Sequence, residues 1–219
     1  MNYYVIVEGL GEKYVYKSWI PQVNPSLSYV SDLSKVQDNN FYIISGGGYP
    51  NYFKIIEDGI NEVNQLGFFH KLVISVDAEE MTYNEKFTEI YNYINQFCCS
   101  VEIKIIIQYY CLESWGLGNQ TLPRRNTTDE ELRSYYLFFD VTKSDPELLP
   151  SIDPKEITRA QFSYKYLHKI IIDRYTGITY VKSNPKILAH SSYFCQLMNR
   201  VKSTNHISSI NQFVEAFSH

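Results

Sequence analysis

The sequence predicts an α/β fold: a parallel sheet flanked by helices, continued by a mostly helical C-terminal extension. Two observations carry this. Four short apolar runs recur through the first half with segments of helical periodicity between them, and the second half reads mainly as helices. A strand buried on both faces shows as an unbroken apolar run, and strands interleaved with helices form parallel sheets. The chain has 219 residues, 44% hydrophobic and 20% charged, which is enough to bury a core and too apolar for disorder. We divide it into a sheet domain over 1–113 and a helical, basic extension over 114–219 packed on it.

Each element has a local reason. Tyr3-Tyr4-Val5-Ile6-Val7 is the first buried strand, ending at Glu8-Gly9-Leu10-Gly11. A helix follows through Trp19 and stops at Pro21, which lacks the amide a helix needs. Phe41-Tyr42-Ile43-Ile44 is the second strand, ending in Ser45-Gly46-Gly47-Gly48. Pro50 opens a helix in which Phe53, Ile56, Ile60 and Val63 recur at helical spacing. Leu72–Val76 is the third strand and ends at Asp77. Thr82 caps the next helix with Glu85 as its capping-box partner, and Phe87, Ile90, Tyr91 and Ile94 line the apolar face. The fourth strand is Val101–Gln108, running out near Cys111-Leu112-Glu113. Beyond it, Thr128–Phe139 reads as a helix with Asp129-Glu130-Glu131 in its first turn. Gln161–Arg174 reads as another, although Ile170-Ile171-Ile172 also suits a strand. Tyr193–Val201 and Ile210–Phe217 complete the set.

Composition excludes some classes. No apolar run approaches the roughly 20 residues that span a bilayer, and Met1-Asn2-Tyr3-Tyr4 lacks the cationic start of a signal peptide. Cys98, Cys99, Cys111 and Cys195 have no CxxC spacing, so we expect reduced cytoplasmic thiols that mostly fill the core. Net charge is −4, but it is unevenly spread. Residues 1–113 hold 7 Lys and Arg against 14 Asp and Glu, whereas residues 114–219 hold 13 against 10.

Right-handed crossovers put the C-termini of parallel strands at one edge, where sites of open α/β sheets gather. The acids at that edge are therefore the candidate chemistry. Glu8 ends the first strand, Asp77 ends the third with Glu79 and Glu80 beyond it, Glu113 follows the fourth, and Glu12 lies just inside the first helix. Crowded carboxylates repel unless a cation joins them, and hard oxygen ligands suit Mg²⁺ or Mn²⁺ rather than zinc. Such ions can clamp the attacking and leaving oxygens of a phosphoryl transfer. Acids also end strands and open helices with no ligand at all.

Val7-Glu8-Gly9-Leu10-Gly11-Glu12-Lys13 resembles the VEGxxEK opening of the TOPRIM domain, found in topoisomerases, primases and overcoming-lysogenization-defect (OLD) nucleases. Val76-Asp77-Ala78-Glu79 resembles the family's DxD strand end, with Glu in place of the second Asp. The chain is also similar to small standalone TOPRIM proteins of bacterial anti-phage systems, some of which work beside an ABC-type ATPase. Cys111-Leu112-Glu113-Ser114-Trp115 resembles their E-x-W segment, and Tyr180–Pro185 their late K-x-x-P segment. The resemblance implies a TOPRIM-like, Rossmann-like fold and a Mg²⁺- or Mn²⁺-dependent nuclease acting on DNA or RNA. It implies Glu8 as ligand or base and Asp77 and Glu79 as ligands, with Glu12, Glu80 and Glu113 as further candidates. Lys182 is our choice for the basic residue that stabilises the transition state. Control by a partner ATPase or by homo-oligomerisation is implied as well. A TOPRIM-like module that binds nucleic acid or a partner protein without cutting is the alternative.

Other motifs point elsewhere more weakly. Gly9-Leu10-Gly11 hints at a dinucleotide-binding turn, but Tyr14 occupies the place of its third glycine. Gly46-Gly47-Gly48 is either a tight turn or a phosphate cradle at a helix N-terminus, and it lacks the Lys-Ser/Thr of a P-loop. His70, His168, His190, His206 and His219 form no metal-ligand pattern. Arg159, Lys165, Lys169, Lys182, Lys186, Arg200 and Lys202 alternate with Phe162, Tyr164, Tyr166, Tyr180 and Tyr193. Cations mixed with aromatics suit a nucleic-acid backbone and its bases, and Arg124-Arg125 can join them.

Overall fold

The computed structural model describes residues 1–218. In chain order the elements are β1 (Tyr3–Val7), α1 (Leu10–Val23), β2 (Ser28–Val30), β3 (Asn40–Ser45), α2 (Asn51–Leu66), β4 (Lys71–Asp77), α3 (Tyr83–Ile94), β5 (Glu102–Gln108), α4 (Leu112–Gly116), α5 (Glu130–Phe138), α6 (Arg159–Arg174), α7 (Ser191–Thr204) and α8 (Ile210–Phe217). Two compact units result. One comprises Met1–Val76, Thr82–Ile107 and the chain from Asn211 onward; the other comprises Asp77–Met81 and Gln108–Ile210.

The first unit is built on a five-stranded parallel sheet of order β2-β3-β1-β4-β5. This is the α/β, Rossmann-like architecture expected, with helices against the sheet. β1 lies at its centre, and all five of its residues are buried, as an unbroken apolar run requires. It pairs with β3 from Tyr3↔Phe41 to Val7↔Ser45 and with β4 from Tyr3↔Lys71 to Val7↔Ser75. α1 buries Gly11, Val15, Tyr16, Trp19 and Ile20, one face at helical spacing. α2 buries Tyr52, Ile56, Gly59, Ile60 and Val63. Gly59 lets that helix approach β1: a Cβ there would stand 2.7 Å from Ile6 Cδ1. Gly67 ends α2 in the left-handed conformation at φ 68°, which glycine adopts without cost. The Thr82–Glu85 capping box at the start of α3 forms as expected. The last helix, α8, seats Phe213 4.8 Å from the Tyr16 ring and Phe217 5.5 Å from that of Tyr3.

Several expectations need correction. The sheet has five strands, not four, because the short β2 pairs with β3 at the edge. Its three residues are exposed or half-buried and carry no apolar run to announce them. α1 continues past Pro21 to Val23. Proline in a final turn forfeits one amide bond, and the helix still closes through the Asn24 amide on the Ile20 carbonyl at 2.9 Å. The isoleucine run at 170–172 is helical, within α6, not a strand. Only Cys111 among the four cysteines is buried; Cys98 and Cys195 are exposed.

The second unit gathers around α4, all five residues of which are buried. α6 packs on it closely enough that a Cβ on Gly116 would meet Leu167 Cδ2 at 2.8 Å. α6 starts at Arg159, two residues earlier than its apolar pattern indicates, because Thr158 and Gln161 form a capping box. α7 contributes Arg200, 1% exposed, whose guanidinium donates to the carbonyls of Ser144 at 2.7 Å, Val141 at 2.8 Å and Gly118 at 3.2 Å. Glu147, 5% exposed, accepts from the Ser209 amide and from the hydroxyls of Ser208 and Ser209. The Ser209 hydroxyl in turn accepts from Trp115 Nε1 at 2.7 Å. Burial pushes the Glu147 carboxyl up to about 7 and the charge of Asp145 adds to this, against the serine hydrogen bonds. Among the described residues, no helix is long and apolar enough to cross a membrane.

Candidate functional site

β1 and β4 run parallel with Val7 level with Ser75, so both leave the sheet at the same edge. Glu8 follows the first, half-buried; Asp77 closes the second, 5% exposed. The two acids therefore stand at neighbouring strand ends, where parallel topology places sites. Glu8 is fixed through its backbone. Its carbonyl accepts from the Gly48 amide at 3.0 Å, and the Val7 carbonyl accepts from Gly46 at 2.7 Å. The Gly47 amide donates to Ser45 Oγ at 3.3 Å. The amides of Gly46 and Gly48 are thus committed to the end of β1, and that of Gly47 to the turn itself. Of the two sequence readings of this loop, the tight turn fits and the phosphate cradle does not. Gly46 is needed for closeness: a Cβ would lie 2.6 Å from Tyr52 Cβ and 3.1 Å from its Cα. Glu12, in the first turn of α1, folds back so that its Oε2 would lie 2.6 Å from a Cβ on Gly9.

The first unit also holds a buried lysine that sequence reasoning passed over. Lys86, 4% exposed, donates to Tyr52 Oη and Glu89 Oε2, both at 2.8 Å. Burial opposes its charge, but these two partners win and hold the ammonium above its ordinary range. The Tyr52 hydroxyl is pushed up to about 12, chiefly by burial, with Glu8 among the charges that add to this. A signal was available: Lys86, Ile90 and Ile94 are the buried residues of α3 and fall four apart.

In the second unit the remaining candidates group around Glu113. Ala78 and Glu79 donate their amides to the carbonyls of Gln108 and Tyr110, each at 2.9 Å. These bonds hold Glu79 at φ 54°, a left-handed backbone that non-glycine residues rarely adopt and that clusters at functional sites. Its side chain is exposed. Glu113 sits in the first turn of α4, 3% exposed, and accepts from Tyr180 Oη at 2.8 Å. Lys182 Nζ lies 3.8 Å from the other Glu113 oxygen, with its own side chain 53% exposed. Partial burial works against the Lys182 charge; Glu113, then Cys111, Asp77 and Glu79, outweigh it and hold the ammonium well above its usual range. Burial and Glu113 likewise push the Tyr180 hydroxyl up. Cys111, fully buried beside the same acids, is held as a thiol by burial first and then by Glu113 and Asp77.

Not every candidate joins this group. Glu80 is bound to the start of α6: its side chain accepts from the Arg159 amide at 2.5 Å and Arg159 Nε at 3.3 Å, and its carbonyl accepts from the same guanidinium at 2.9 Å. The guanidinium also lies 3.8 Å from the centre of the Tyr110 ring. The aromatic part of the expected cation-and-aromatic tail is largely core, whereas most of its cations are not. Arg200, Phe162, Tyr166, Tyr180 and Tyr193 are buried, and Lys169 pairs with Asp129 at 3.1 Å and Glu131 at 2.7 Å. Lys165, Lys186 and Lys202 are exposed. A groove of about 550 Å³ in the same unit is lined by Arg124, Arg125 and Lys143, with Tyr136 beside them.

No family model matches the chain, and neither a curated protein nor a solved structure matches it.

Proposed function

We propose that the chain is a TOPRIM-like nuclease that hydrolyses phosphodiester bonds of DNA or RNA and acts in an anti-phage defence system, beside an ATPase partner. In this reading Glu8, Asp77 and Glu79 each give one carboxylate oxygen to Mg²⁺ or Mn²⁺. One observation carries the proposal: Glu8 and Asp77 leave the sheet at the same edge on neighbouring parallel strands, with Glu79 two residues further on. Donors of oxygen alone fit a hard cation. Bound ions would supply Lewis-acid activation of the phosphoryl group and of water.

The chain's own residues have separate tasks. Glu8, with its backbone fixed by Gly48, accepts the proton of the attacking water. The Glu79 amide bond to the Tyr110 carbonyl fixes the backbone from which its carboxylate reaches the metal. Lys182 is kept protonated by Glu113 and faces the negative charge that grows on the phosphoryl oxygens. Tyr180 holds the far oxygen of Glu113 and so sets where Lys182 rests. Arg124, Arg125 and Lys143 offer phosphate contacts away from the reacting bond.

Calorimetric titration of the full chain with Mn²⁺ tests the metal reading without any substrate. Saturable binding that is lost in Glu8→Ala and in Asp77→Ala supports it, and equal binding by all three proteins refutes it. One residue favours the second reading, a binding subunit without catalysis: Glu79 stands where the TOPRIM family has Asp. That subunit would bind nucleic acid with strong salt dependence and bind metal weakly.

A further inference from the structure

β5 is the last strand of the sheet, and its outer side meets no further strand among the described residues. Such an edge pairs readily with another chain, and proteins usually blunt it. Here the blunting is partial. The Ile107 amide points outward and donates to Gln212 Oε1 of α8 at 3.1 Å, which closes the C-terminal half of the edge. Backbone groups alternate along a strand, so Ile103 and Ile105 present theirs on the same outer side as Ile107, and Val101 lies just before the strand. Their side chains, with Phe87, Tyr91 and Ile94, line an open groove of about 500 Å³. Tyr91 is 48% exposed, and its ring stacks 6.0 Å from Phe87, which stacks 6.2 Å from Tyr83. An open strand edge therefore runs beside an uncovered apolar and aromatic strip.

We propose that a second copy of this chain occupies that edge, its β5 pairing antiparallel with the first about a two-fold axis at Ile103. The sequence at the edge is complementary to itself in this register and in no neighbouring one centred on an outward-facing residue. Ile103 falls opposite Ile103 of the second copy in a hydrogen-bonded position, and Val101 falls opposite Ile105 once the pairing extends the strand by that one residue. Glu102 falls opposite Lys104, and Lys104 opposite Glu102, in the non-hydrogen-bonded positions where facing side chains come closest. Within one chain these two already lie side by side on one face, Lys104 Nζ 2.6 Å from Glu102, with side chains 41% and 51% exposed. Two opposite-charge pairs and two Val–Ile pairs then surround one Ile–Ile pair. A two-fold axis normal to the sheet keeps α3 of both copies on the same face. The strip of Phe87 and Tyr91 from each copy then closes over the joined strands, so the contact is two layers deep. The outcome is one continuous ten-stranded sheet made from two five-stranded ones.

Sedimentation velocity of the full chain over a concentration series tests this. The wild type should reach a dimer. Glu102→Lys places like charges opposite each other twice, as does Lys104→Glu, and each should weaken the dimer about tenfold or more. An equimolar mixture of the two variants restores both opposite-charge pairs and should recover a heterodimer, which a change in fold would not do. Circular dichroism of each variant at low concentration should match that of the wild type. A wild type that stays monomeric throughout overturns the proposal. So do a dimer indifferent to both substitutions and a loss of dimer that mixing does not repair, including the case where the edge takes a strand from another protein.

Discussion

Glu147 gives a prediction whose sign and size follow from its surroundings. Its carboxyl is buried among Ser208, Ser209 and Trp115, and burial raises it from 4.5 to about 7. The unfolded chain loses this proton near pH 4.5, whereas the folded chain keeps it to about 7. The group thus contributes its full stability below pH 4.5, and that contribution drains away as pH rises through the folded value. Each unit of pKa difference is worth 1.36 kcal/mol, so the interval from 4.5 to about 7 amounts to about 3 kcal/mol. Glu147→Gln keeps the shape and removes the titration. Urea unfolding of both proteins at several values between pH 5 and pH 8 isolates the residue, because every other titrating group cancels in the difference. Stability of the wild type should fall relative to the variant by about 2.5 kcal/mol between pH 5 and pH 8, most of the full effect. Parallel profiles for the two proteins would refute the reasoning, as would a gap that opens toward acid.

Two further predictions concern packing. Arg200→Met leaves the carbonyls of Val141 and Ser144 without a donor that reached them at 2.8 and 2.7 Å, and it should cost about 3 kcal/mol or more in urea unfolding. Lys202→Ala, two residues on and exposed, should change stability by less than about 0.5 kcal/mol. Gly46→Ala pushes a methyl group into Tyr52 Cβ and Cα at 2.6 and 3.1 Å, atoms that cannot swing aside. The first turn of α2 must shift, at about 1–3 kcal/mol, read as a lowered melting temperature.

What the sequence disclosed was local. The apolar run Tyr3–Val7, the Thr82–Glu85 capping box and the helix after Pro50 each depend on a few adjacent residues, and each stands where expected. The strand-end acids were legible for the same reason, since a strand and the residue after it are read together. What stayed hidden depends on partners distant along the chain. Nothing near Arg200 announces that Gly118, Val141 and Ser144 offer their carbonyls, so it read as a surface cation beside nucleic acid. Glu80 read as a spare ligand because Arg159, its partner, lies 79 residues away. Lys86 was passed over because lysine is rarely buried, although its spacing from Ile90 and Ile94 marks the buried face. β2 was missed because three half-exposed residues form a strand only when β3 lies alongside.

The most direct test of the proposed function is cleavage of plasmid, single-stranded DNA and tRNA by the purified chain in Mg²⁺ and in Mn²⁺, alone and with a co-purified partner. Glu8→Ala and Asp77→Ala are run beside it. Metal-dependent cutting by the wild type that both substitutions abolish is the predicted result. Cutting that survives both substitutions would contradict the assignment, as would a chain that neither cuts nor binds Mn²⁺ with its partner present.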